Sequence, residues 1–227
     1  MMRIKYKYFI FPFLTLFLFS CAYHPKWEPL IKIPQFYDYK NKVGNLEVVV
    51  DPYVAPYKIE YIFNDDLTDG GILPLHIMAW NNDLFDYNLR QSNIIIRSLD
   101  GMQYSPIPPD MISKKLKKNT LARVVGFGAL GSAFIFLTVP FALGAGIDSY
   151  QANKAIKQDV EDKRLKQSGI ASKSLFQGFL FFELGDDEDT INQTFNKSYT
   201  LFINNIESEK TGEIFNLQIP FRLSRQY

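Results

Sequence analysis

A chain of 227 residues is long enough for one domain with a substantial core and too short for two large independent ones. Hydrophobic residues reach 47% and aromatics 15%, with 20 Phe and 13 Tyr, a bias toward side chains that suit half-buried pleated surfaces. The formal charge is +1, and loss of a leader carrying Arg3, Lys5 and Lys7 would take it to about −2, which argues against nucleic acid as a partner.

The N-terminus has the layout of an export signal. Basic residues Arg3, Lys5 and Lys7 precede residues 9–19, which are apolar apart from Thr15, and the small Ser20 then leads into Cys21. Eleven residues rising about 1.5 Å each reach roughly 16 Å as a helix, about half of the ~30 Å hydrocarbon core, so a permanent span is not expected here. Cys21 is the chain's only cysteine, so an internal disulfide and a thiol-based metal site are both excluded.

Leu18-Phe19-Ser20-Cys21 resembles the bacterial lipobox, although Phe19 is bulkier than the residue usual at that place. The resemblance implies cleavage after residue 20, diacylglycerol on the Cys21 thiol and commonly a further acyl chain on its amine. Several chains hold where one would not, because each buried methylene contributes about 0.8 kcal/mol. By the same resemblance, Ala22 in place of Asp implies delivery to the outer membrane of a Gram-negative cell, on its periplasmic side. The plain alternative is a chance cysteine beside an ordinary signal cut elsewhere.

Residues 21–42 read as the lipid anchor and a tether, rich in proline (Pro25, Pro29, Pro34) and without a sustained period. Some 20 extended residues at about 3.1 Å each would reach roughly 60 Å, less if Trp27, Phe36 and Tyr39 pack on the body. Residues 43–227 then carry seven runs of strand character: Leu46–Asp51, Tyr57–Phe63, Ile72–Trp80, Asn93–Leu99, Leu175–Leu184, Ser198–Asn204 and Glu213–Leu223. Alternation puts Tyr57, Ile59, Tyr61 and Phe63 on one face, and Phe215, Leu217, Ile219 and Phe221 on another. Turn residues separate the runs at 64–66, 69–71, 81–83 and 185–187.

Taken together, the apolar run into Trp80-Asn81-Asn82, the strand ending at Asp100-Gly101 and the later Gly178-Phe179-Leu180-Phe181-Phe182 resemble bacterial immunoglobulin-like domains of exported lipoproteins. The resemblance covers about half of the mature chain and carries no catalytic motif. It implies a mainly β, immunoglobulin-like β-sandwich with a binding or scaffolding role.

An insert over residues 119–169 interrupts this pattern. Val124–Ile147 runs 24 residues without a charge, and at about 1.5 Å per residue that is roughly 36 Å of helix, enough for a bilayer. Gly126, Gly128, Gly131, Ser132, Pro140, Gly144 and Gly146 are the expected membrane or oligomer contacts, since small residues let helix backbones approach closely. Three readings stay open: a transmembrane helix, a re-entrant pair of short helices bent at Pro140, or a soluble helical hairpin on one sheet. Lysines and arginines flank the segment on both sides, so charge gives it no orientation. Residues 148–167 follow as a charged helix, with Asp159 and Lys163 spaced for pairing and Gly169 placed to end it.

Catalytic signatures are sparse. His24 and His76 lack the companions of a metal site or a triad, and His76 reads as a partly buried strand residue. Gly126-Phe127-Gly128-Ala129-Leu130-Gly131 fits a dinucleotide-loop pattern by letter but lacks its strand–turn–helix context. Asp186, Asp187, Glu188 and Asp189 read as a solvated loop rather than a calcium loop, and Lys114, Lys115, Lys117 and Lys118 as a basic stretch able to touch anionic head groups. No cofactor or metal is expected.

The expectation is a lipid-anchored envelope protein with a non-enzymatic binding or scaffolding role. Its partners would be membrane lipid through Cys21 and another envelope protein or a second copy. The rivals are an oligomeric channel or secretion-complex component using the insert, and an envelope hydrolase.

Overall fold

Between Ile72 and Asn81 every second residue is apolar and so are most of those between, a pattern that makes sense only for a strand covered on both faces. The computed structural model, which describes residues 28–63, 66–89, 94–116, 157–165, 169–185, 193–195 and 197–224, builds the molecule around it. The chain is mainly β, with strands β1 (Lys40–Val43), β2 (Leu46–Pro52), β3 (Ile72–Asn81), β4 (Tyr87–Asn88), β5 (Ile94–Ser98), β6 (Gln103–Tyr104), β7 (Gly169–Ile170), β8 (Ser174–Glu183), β9 (Ser198–Ser208) and β10 (Ile214–Arg222). One sheet has the order β1-β2-β3-β8, and the other centres on β9, with β5 and β4 along one edge and β10 along the other. All of these ladders are antiparallel.

Leu73, Leu75, Ile77 and Ala79 of β3, with Leu180 and Phe182 of β8, point into a core shared with Leu201 and Ile203 of β9 and Leu217, Ile219 and Phe221 of β10. The alternation expected for residues 215–221 is therefore present. The other face of the first sheet carries Ile72, Phe179 and Phe181 and is covered by helix α1 (Pro56–Phe63) and by helical segments α2 (109–116) and α3 (157–163). Burial on two sides explains why β3 and β8 read as continuous apolar runs.

Two strand expectations need correction. Residues 57–63 form helix α1, not a strand with Tyr57, Ile59, Tyr61 and Phe63 on one face. Pro56 suits the first turn of a helix, where its missing N–H costs nothing, and the Ala55 carbonyl accepts from the amides of Lys58 and Ile59 at 3.0 and 3.2 Å. Ile59, Ile62 and Phe63 turn inward at helical spacing, which leaves Tyr57 and Tyr61 outside. Strand β9, expected to stop at Asn204, continues to Ser208 through a bulge at Asn205. Its φ of 59° is left-handed, a conformation asparagine tolerates well, and its amide bonds to Asn216 Oδ1 at 3.0 Å.

The tether also ends earlier than residue 42. Tyr37 packs against Trp80 with ring centroids 6.4 Å apart, the Tyr39 hydroxyl donates to the Arg222 carbonyl at 3.1 Å, and Lys40–Val43 pairs with β2. Aromatic packing, one of the two outcomes foreseen for Tyr39, thus straps the segment to both sheets and shortens its reach.

The apolar segment 124–147 and its seven contact residues lie outside the described residues. Its flanks do not. Ile112 and Leu116 of α2 share a cluster with Val160 of α3, and Lys157 forms an ion pair with Asp110. The Ile107 and Leu165 amides donate to the Phe181 and Phe179 carbonyls at 2.8 and 3.0 Å, which covers the outer edge of β8. Strands before and after the insert thus build one body, with β3 paired to β8 and β5 to β9. The helix expected over 148–167 is described from 157 to 163, with Asp159 and Lys163 3.6 Å apart, and it ends before Gly169, which belongs to β7.

Leu165 crosses β8 directly over Gly178, where a Cβ would stand 2.6 Å from the Leu165 Cα. A Cβ is fixed by its own backbone and the Leu165 Cα and N are backbone atoms, so neither side can rotate away. Gly178→Ala should cost about 1–3 kcal/mol by overpacking, read as a lowered midpoint in chemical denaturation, whereas Gly101→Ala, with open space around it, should cost only the strain of its φ of 89°.

Candidate functional site

The covered face of the first sheet is not covered everywhere. Where β2 runs out toward α1, the N-terminal segment comes back across it, and a groove of about 350 Å³ opens between the three. Leu30, Phe36 and Tyr37 form one wall, Asp51 and Tyr53 the floor, and Tyr57, Lys58 and Tyr61 of α1 the other wall. Helical spacing puts Tyr57 and Tyr61 one turn apart on the same side of α1. The N-terminal wall is held by a 3-10 turn over Pro34–Phe36 and by the Lys32 amide donating to the Tyr37 hydroxyl at 3.0 Å.

Lys58 is the groove's most constrained cation. Its ammonium donates to both Asp51 oxygens at 2.8 and 2.9 Å and sits 4.0 Å from the centre of the Tyr53 ring. The pair is partly exposed and adds little to stability, but it commits the Asp51 carboxylate. Burial and the Asp51 charge push the Tyr53 hydroxyl well above the usual phenol range, so it stays protonated.

Beneath Tyr53 lies His76, fully buried in β3. Register sets Asp51, His76 and Phe179 side by side across three strands. The imidazole stacks on Phe179 with centroids 4.6 Å apart, and Tyr53 meets both rings edge-on. Its Nε2 lies 3.2 Å from Gln177 Oε1, an oxygen that can only accept, so Nε2 carries the proton and Nδ1 is left without a partner among the described residues. Burial, with the Lys58 charge helping, pulls the ring down to about 4, so it is neutral at physiological pH. The expectation of a partly buried strand histidine understates the burial. His76 serves the floor of the groove as a dry aromatic plate.

A second pocket, about 280 Å³, opens where residues 105–108 and Arg164 meet β5 and β8. Arg164 is the one ionisable residue in its described lining. Among the described residues, no group of three or more His, Cys, Asp and Glu gathers where it could hold a metal ion.

Of the residues singled out in the sequence, Cys21, His24, the seven insert residues and the acidic run 186–189 lie outside the described residues. Lys115 turns toward the body, 2.7 Å from Glu183 and 3.0 Å from the Gly185 carbonyl, which accounts for it without a head group. The groove escaped sequence reading. The signal available was Pro56 opening a helix with two tyrosines one turn apart, but it was masked by their fit to strand alternation.

The chain matches no family profile and no curated protein. Among solved structures it is similar to ycdA of Bacillus subtilis, a proposed lipoprotein, at 12% identity and a TM-score of 0.39 over 81% of this chain and 38% of that one. It is also similar to a Listeria monocytogenes protein of unknown function, at 14% identity and a TM-score of 0.38 over 82% of each chain. The chain thus spans well under half the length of the Bacillus protein. Likeness at this level identifies neither a family nor an activity.

The buried imidazole makes a pH prediction. Its folded value of about 4 lies below the ordinary 6.5, so the unfolded chain binds the proton more readily, and stability must fall as pH drops through that window. The loss should be on the order of 3 kcal/mol between pH 6.5 and 4, and absent above 6.5. Urea midpoints measured across that range should show the decline, and His76→Phe, which cannot charge, should flatten it.

Proposed function

We propose that this chain is a cell-envelope lipoprotein, acylated on Cys21, whose immunoglobulin-like sandwich is a non-enzymatic binding module with the aromatic groove as its contact surface. The observation that carries the reading is the origin of the groove's wall. Leu30, Phe36 and Tyr37 belong to the segment that follows the lipobox-like site, so the contact surface and the anchor are consecutive in the chain. A ligand or surface bound there would be held at the membrane by construction. The periplasmic side of the outer membrane is the location that Ala22 supports.

Groove chemistry favours binding over turnover. Aromatic faces and a neutral sum of charges, Lys32 and Lys58 against Asp38 and Asp51, offer contact area and orientation. A hydrolase needs a poised acid and base within reach of one bond. Here the buried histidine faces Phe179 and Gln177, and Asp51 is bound to Lys58.

The anchor is tested on the N-terminal peptide of protein isolated from envelopes. Mass spectrometry should find it beginning at residue 21 with diacylglycerol on the sulfur, and Cys21→Ser should leave a larger, unprocessed species. A mature chain with a free Cys21 thiol, or one cut at another position, would overturn the proposal.

A further inference from the structure

We infer that the groove face meets the bilayer itself, with Leu30, Phe36, Tyr57 and Tyr61 seated among the lipid head groups. The inference rests on the lipoprotein reading and names the partner of its contact surface.

Exposure is the first observation. Leu30, Phe36 and Tyr57 are 83%, 70% and 75% exposed and Tyr61 49%, and all four line one groove. Ile31 and Ile33, in the same segment, are 43% and 58% exposed. Single exposed apolar residues are ordinary on any surface, but a contiguous set rimmed by polar groups marks an interaction face.

Chain length is the second. Leu30 lies nine residue steps after Cys21, and at no more than about 3.5 Å each these span at most roughly 32 Å. An acylated Cys21 therefore keeps this patch within that distance of the lipid. The contacts from Tyr37 to Val43 make that wall part of the folded body.

Third, the groove lies on the same side of the body as the helical segments. The groove, α2 and α3 all sit on the helix-covered face of the β1-β2-β3-β8 sheet, the face opposite the shared core. Rings with a polar tip, as on Tyr57 and Tyr61, suit the boundary between head groups and acyl chains. Because the groove's two lysines are matched by two aspartates, contact should depend on apolar burial, with little need for anionic lipid.

The test uses the full acylated protein in vesicles of phosphatidylcholine alone and of phosphatidylcholine with phosphatidylglycerol. Acylation blocks Cys21, so a nitroxide can be placed singly through Tyr57→Cys or, on exposed Gln218 of β10, through Gln218→Cys. Oxygen, which concentrates in lipid, should broaden the label at 57 several-fold more than a water-soluble nickel chelate does, and the order should reverse at 218. The result should be the same in both lipids and in high salt. Equal access of the chelate to 57 and 218 would overturn the inference while leaving the lipoprotein reading intact. Protection of 57 from both reagents with spin–spin broadening would overturn it in favour of a second copy covering the groove. Protein that fails to float with vesicles and carries a free thiol at residue 21 would end both readings.

Discussion

The antiparallel pairing of β3 with β8 is the constraint on which the rest of the structure depends. Ten residue pairs, from Ile72 with Glu183 to Asn81 with Ser174, join the chain before the insert to the chain after it. Both strands are buried on two faces, so their backbone groups have no water to fall back on and their side chains knit two separate clusters. One cluster closes the sandwich against β9 and β10. The other seats the three helices and, beside them, the floor of the groove.

From that pairing follows the placement of the groove and of the residues beneath it. His76 is stacked because Phe179 is its register partner, and Tyr53 can lie over both because β2 ends one row further on. The insert's flanks, α2 and α3, meet on the helix-covered face of that sheet through Ile112, Leu116 and Val160. The N-terminal segment, strapped by Tyr37, Tyr39 and β1, then completes a groove whose walls are otherwise unrelated in sequence.

Much of the fold was legible in the residues themselves. β2, β3, β5, β8 and β10 declared themselves by apolar runs and turn residues, and the mainly β class follows from them. What misled was local ambiguity with a tertiary answer. Tyr57 to Phe63 satisfies both alternation and helical spacing, and Pro56 at its start together with the cover it gives Phe179 and Phe181 decides for the helix. Asn204-Asn205 looks like a turn and is a bulge, because β10 lies alongside to carry the strand on. The groove was not legible, since Phe36, Tyr53 and Tyr57 become a site only through long-range strand pairing. The lipobox resemblance rests on four consecutive residues and needs no folding at all, whereas the neighbouring surface exists only in the folded chain.

Native-state hydrogen exchange on the full chain tests the central claim most directly. If β3 and β8 form one unit, their amides should exchange together at the slow rate set by global unfolding. Rapid exchange along residues 174–183 beside a protected 72–81 would contradict it, because the strands on the two sides of the insert would then not share one sheet.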